Sequence, residues 1–186
     1  MSVFSNPASS AGDQAKAYVA AVLGLLGDSD PTDVLRQTPS SLTRLLDEVP
    51  TEQLSRPETA GKWSMNEVLQ HLADSETVWA YRLRMVLAHD RPRLEGYDQD
   101  LWAERLSYRD ADPHEAVVRF SVLRGANLRL LERSSEEDLR RVGVHQERGD
   151  ESLEHLVRLY AGHDLLHLRQ LDRIRRTLGQ QPGLGL

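Results

Sequence analysis

From Leu153 to Leu178 the chain repeats apolar side chains at the spacing of an α-helix, and two histidines lie inside the repeat. At 100° per residue, Leu153, Leu156, Val157, Tyr160, His163, His167, Leu171, Ile174 and Leu178 fall on one stripe. His163 and His167 are four residues apart, so their imidazoles stack on one helical face and point where the apolar side chains point. A lone histidine on such a face is ordinarily a core residue whose ring nitrogens find carbonyl partners. A pair is more demanding, because four ring nitrogens must be satisfied in one place. A shared metal ion and a satisfied core pair are therefore the two readings of this segment.

The rest of the chain is read as helical too. Residues 15 to 26 place Tyr18, Val22, Leu25 and Leu26 on one side of a short helix that ends at Gly27. Asp30 followed by Pro31 opens a helix to about Glu48, with Val34, Leu42, Leu45 and Val49 on its face. Ser64-Met-Asn-Glu67 is a capping-box pattern that starts a long helix to about Ala88. Its core stripe of Met65, Val68, Leu69, Leu72, Trp79, Leu83, Val86 and Leu87 is interrupted by Glu76, and His71 lies at its edge. Asp112-Pro113 opens another helix to about Arg133, which presents Ala116, Phe120, Leu123, Asn127, Leu130 and Leu131 with Arg124 on the margin. An ionised carboxylate on a core stripe needs a partner, and Arg124 is the expected one for Glu76.

Between these helices, residues 91 to 111 are rich in Pro, Gly and Asp and read as a long crossover with one short helix around Asp98 to Leu106. Gly143 to Asp150, including His145, reads as a polar turn. No alternating apolar pattern of convincing length occurs, so an all-helical chain is expected: a four-helix bundle with the short first helix as an appendage. Residues 1 to 12 and 179 to 186 are expected to be flexible ends flanking a single domain from 13 to 178.

Composition narrows the chemistry. The 186 residues carry 29 acidic and 23 basic side chains, a net charge of −6, which argues against nucleic-acid and anionic-lipid partners. There is no cysteine, so a metal here must be held by nitrogen and oxygen. The start of the chain lacks a signal-peptide pattern and no run of 18 apolar residues occurs, from which a soluble cytoplasmic protein is expected. His71 is the third histidine placed well inside a helix and beside an apolar stripe, and it is the choice to join His163 and His167.

The segments Gly-Lys-Trp-Ser-Met-Asn-Glu-Val-Leu-Gln-His (61 to 71), Gly-Tyr-Asp-Gln-Asp-Leu-Trp (96 to 102) and Gly-His-Asp-Leu-Leu-His-Leu-Arg-Gln (162 to 170) resemble the DinB-like superfamily, in particular its YfiT branch. The resemblance covers about residues 17 to 178. It implies an antiparallel four-helix bundle whose divalent metal, nickel or zinc, is held by three histidines matching His71, His163 and His167. Three protein ligands leave room for water or substrate, the pattern of a working site. Asp164 and Glu67 are the candidates to support the ligands from behind, and Glu67 also has its capping-box role. The resemblance implies a metal-dependent enzyme acting on a small molecule, either a transferase using a low-molecular-weight thiol or a hydrolase; the alternative is a metal-binding or stress-response protein without turnover. Family likeness and the apolar side chains Tyr18, Val22 and Leu25 also admit a homodimer.

Overall fold

The protein is described by a computed structural model covering residues 12 to 179, so the expectations for residues 1 to 11 and 180 to 186 lie outside the described residues. In chain order the elements are α1 (Gly12–Leu26), α2 (Pro31–Glu48), the single turn α3 (Thr51–Leu54), α4 (Met65–Ala88), β1 (Arg93–Leu94), α5 (Gln99–Arg105), α6 (Pro113–Leu131), α7 (Glu136–Arg140), β2 (Val142–His145), β3 (Gly149–Ser152) and α8 (Leu153–Thr177).

The long helices begin where the sequence offers caps. Asp30 accepts the backbone N–H groups of Thr32 and Asp33 before Pro31, and Asp112 accepts that of His114 before Pro113. At the start of α4, Ser64 Oγ accepts the Glu67 N–H while Glu67 Oε2 accepts the Ser64 N–H at 2.8 Å, closing the capping box.

α2, α4, α6 and α8 form a four-helix bundle. Its side-chain contacts fix the helix directions. Near their starts α4 and α6 are joined by Gln70 Nε2 donating to the Asp112 carbonyl, at mid-length by Glu76 and Arg124, and further on by Arg84 and Asn127, so these two run parallel. α8 runs against α4, since His71 meets His163 while Arg82 meets Tyr160. α2 runs with α8, through Arg175 and Glu48 at one end and Leu35, Val157 and Ala161 nearer the other. The bundle thus combines antiparallel pairs, α4/α8 and α2/α6, with parallel ones. A parallel α4/α6 pair requires the chain to travel back along the bundle between them, and the 89 to 112 crossover is long enough to do so.

Two readings change. Residues 143 to 150 are not a turn throughout: β2 and β3 form a hairpin, and β1 adds to β2 in parallel, with Arg93 opposite Val144 and Leu94 opposite His145. Strands of two and four residues are too short to show alternation, and the third strand joins only because the crossover brings β1 alongside the hairpin. Gly143 permits the approach, since a Cβ there would lie 2.6 Å from Leu94 Cδ1. Nor is α1 an appendage. It lies against α8, with Val22 fully buried and Gly162 at the crossing, where a Cβ would stand 2.3 Å from the Val22 carbonyl oxygen. Val22 on the apolar face of α1 is thus used inside the chain, and Tyr18 and Leu25 beside it are half-buried.

Candidate metal centre

His71 comes from α4, and His163 and His167 from consecutive turns of α8. One nitrogen from each of the three lies within 4.8 Å of the other two. The Nε2 atoms of His71 and His163 are 3.2 Å apart although 92 residues separate them in the chain. His71 and His167 are buried, and His163 is half-buried because it faces a cavity.

Burial pushes all three imidazoles toward the neutral form. His71 and His163 are held well below the usual histidine range, first by desolvation and then by the neighbouring imidazoles; His167 is lowered to about 4, with desolvation the largest cause. Neutral imidazoles keep a lone pair, which is what a metal requires. His167 Nδ1 is 2.8 Å from Gln170 Oε1, and because an amide oxygen only accepts, the proton sits on Nδ1 and the lone pair on Nε2. His71 Nδ1 is buried without a partner, which is consistent with a ring positioned by what its Nε2 faces. Three lone-pair nitrogens at this spacing fit one divalent ion.

The cluster lies on one side of a cavity of about 90 Å³. α4 contributes His71, Ser75 and Arg82 to it, and α8 contributes Tyr160, His163 and His167. On α4 the spacing is four and then seven residues, on α8 three and then four, so each set occupies one helical face. The crossover adds Tyr97, whose hydroxyl is 2.7 Å from Ser75 Oγ and whose ring packs at a tilt against that of Trp102, with centroids 4.4 Å apart. The crossover thus reaches the cavity through Tyr97, with Trp102 packed against that ring, while Tyr108 donates to Asp74 Oδ2 at 2.6 Å.

The carboxylates near the cluster are engaged away from it. Glu67 closes the capping box. Asp164 accepts from Arg124 at 2.6 and 3.2 Å, and the same guanidinium donates to Glu76 Oε2 at 3.1 and 2.8 Å, while Asn127 donates to Glu76 Oε1 at 2.8 Å. The expected Glu76–Arg124 pair is present and is enlarged by Asp164 into a buried triad. Arg124 is not marginal on α6: it is 1% exposed, and the helix buries Val117 and Leu128 in preference to Leu123 and Leu130. Two inward carboxylates on neighbouring helices set that rotation.

The sequence reading did not single out Gln170, Arg82 or Ser75, and it placed His145 in a polar turn; all except Gln170 line the cavity, and Gln170 holds a ring that does. Gln170 had a signal in its i, i+3 spacing from His167, and Ser75 and Arg82 in their phase with His71. His145 had none, because its place depends on the sheet.

A helical bundle with a three-histidine cluster beside a cavity is an arrangement in which helical proteins can hold a metal ion. The chain belongs to the DinB superfamily, whose family model matches residues 35 to 171. It is 26% identical over 147 residues to "Putative metal-dependent hydrolase YfiT" of Bacillus subtilis, covering 78% of this chain and 83% of that protein. A Bacillus licheniformis protein of the same designation is 27% identical over 146 residues, with 78% and 83% covered. The solved structure of the Bacillus subtilis YfiT, described as a probable metal-dependent hydrolase with an unusual four-helix bundle topology, superposes with a TM-score of 0.76 at 26% identity, covering 81% of this chain and 87% of that one.

Proposed function

We propose that His71, His163 and His167 hold one divalent metal ion, zinc or nickel, and that the protein is a metal-dependent enzyme acting on a small molecule in the adjoining cavity. The observation that carries this reading is the convergence of three imidazoles, from two helices, on the wall of a cavity. Imidazole suits zinc and nickel alike, so the donor set does not separate them. When bound, the ion would supply Lewis acidity, making a water or thiol beside it more acidic. The chain's own residues do the rest: Gln170 fixes the His167 tautomer, the Arg124 triad anchors α8 next to His163, and the Ser75 and Tyr97 hydroxyls offer hydrogen bonds beside His71.

Hydrolysis is supported by the designations of the relatives. Thiol transfer has one observation in its favour: Glu67 and Asp164, the acidic residues nearest the ligands in sequence, are both committed elsewhere. A thiol, with a pKa near 8.5, ionises with far less help from a base than water does. The two readings are separated by metal analysis of the purified protein followed by assays of the zinc and nickel forms, with ester and amide substrates in one series and low-molecular-weight thiols plus electrophiles in the other. Turnover that disappears in His163→Ala supports an enzyme, and metal binding without turnover in either series supports a metal-binding protein. Zinc and nickel affinities unchanged in a folded His163→Ala, His167→Ala double variant sink the metal reading itself.

A further inference from the structure

Arg82 is 6% exposed, lines the cavity, and has no carboxylate within ion-pair distance among the described residues. The other buried arginines are neutralised: Arg124 by Glu76 and Asp164, and Arg175 by Glu48. Arg148, which also lines the cavity, is held by both oxygens of Glu151, at 2.6 and 2.9 Å. Glu147, the carboxylate that lines the cavity, forms no ion pair with Arg82 among the described residues. The Arg82 guanidinium instead donates to the Tyr160 hydroxyl at 3.3 Å and to the Glu95 carbonyl, and its Nε has no partner. A buried cation with only neutral partners is disfavoured unless an anion completes its surroundings.

A second observation lies beside it. His145 Nδ1 accepts the Glu147 N–H at 3.2 Å, so the proton of the neutral ring is on Nε2. That nitrogen is 3.3 Å from Arg82 Nη2, which is also a donor. Protonating the ring would leave that N–H in place and add a second at Nδ1, and burial with the two arginines Arg148 and Arg82 disfavours it, lowering the His145 pKa to about 3. Tyr160 Oη, having accepted from Arg82, keeps its own proton to donate. Donors from α4, α8 and β2 thus gather at one wall of the cavity in a protein of net negative charge.

We propose that this wall, formed by Arg82, His145 and Tyr160, binds an oxyanion of the ligand, a carboxylate or a phosphate, while the histidine cluster faces the reacting end. His71 and Arg82 are separated by about 16 Å of helix, and the Arg82 guanidinium reaches the hydroxyl of Tyr160, three residues before His163 on α8, so the anionic group and the reacting atom stand several bonds apart in one elongated molecule. The substrate class is then small anionic molecules, and an electrophile or thiol without a carboxylate or phosphate is a poor ligand. This inference rests on the metal reading only for what happens at the far end of the cavity.

The test uses the full chain, both metal-free and loaded with zinc, titrated calorimetrically at constant ionic strength with inorganic phosphate and with succinate. Both probes are expected to bind the metal-free protein, and whichever binds tighter identifies the oxyanion. Arg82→Gln should weaken that binding about tenfold or more, and Tyr160→Phe about threefold, with zinc affinity unchanged in both. Should Arg82→Gln not fold, Arg82→Lys and Tyr160→Phe carry the test, the lysine variant keeping part of the affinity because the charge remains. Equal affinities in wild type and Tyr160→Phe together with a folded arginine variant, or no binding of either probe to wild type, overturn the proposal. Loss of zinc binding with Arg82-dependent anion binding intact would sink the metal reading alone.

Discussion

Arg124 Nη1 lies 2.6 Å from Asp164 Oδ2, and Asp164 is the residue that follows His163 along α8. The contact ties the histidine-bearing turn to α6, while the other side of the guanidinium reaches Glu76, about 1.4 turns beyond His71 on α4. One buried cation therefore braces both helices that supply the cluster.

Removing that cation strands two buried carboxylates. Arg124→Met should destabilise the protein by about 3 to 5 kcal/mol, read as a lower urea midpoint at unchanged slope. The triple change Arg124→Met, Glu76→Gln, Asp164→Asn should recover much of the loss. A midpoint for Arg124→Met equal to that of the parent would show that the triad contributes nothing.

Gln170 holds the His167 ring through Nδ1. Gln170→Leu leaves the ring but frees its rotation and tautomer, so zinc affinity should fall about 10- to 100-fold with little change in stability. Competition against a chelator of known affinity measures this, and an unchanged dissociation constant counts against the role given to Gln170.

Acid should destabilise the protein in part through His145. Its folded pKa, about 3, is below the 6.5 of the unfolded chain, because burial and the arginines Arg148 and Arg82 disfavour its cation. The unfolded state then binds more protons between those values, so this contribution is complete above pH 6.5 and is lost as pH falls toward 3; it is worth at most about 2 kcal/mol of loss by pH 5. Denaturant midpoints should fall less between pH 7 and 5 in His145→Gln than in wild type, and parallel curves would rule His145 out as a contributor.

Tyr97 and Trp102 separate the crossover's two roles. Tyr97→Phe removes a hydroxyl from Ser75 at the cavity, and Trp102→Ala removes the ring that Tyr97 packs against. Both should keep full metal content and bind the cavity's ligand more weakly, with Trp102→Ala also lowering stability by about 1 to 3 kcal/mol for the lost packing. Ligand affinity that survives both changes leaves the segment a purely structural role.

The sequence by itself determined the elements whose causes are local. Asp30-Pro31, Asp112-Pro113 and the Ser64 to Glu67 box mark three helix starts because a cap is made by residues within one turn. Periodicity put His163 and His167 on the inward face of α8, and phase against an apolar stripe brought His71 to the same list. Glu76, out of place on its own stripe, announced a buried partner before any partner could be seen. What only the tertiary structure decided were relations between segments far apart in sequence. Arg124 faces inward because Asp164 and Glu76 wait on two other helices, and His145 reaches the cavity because a crossover strand pairs beside it. Arg82 lacks a carboxylate partner among the described residues only because the fold brings Tyr160, His145 and the Glu95 carbonyl to it instead. Local backbone and capping energies are fixed by neighbours in the chain, whereas burial of a charge takes its sign from the partners that the whole fold brings within a few ångströms.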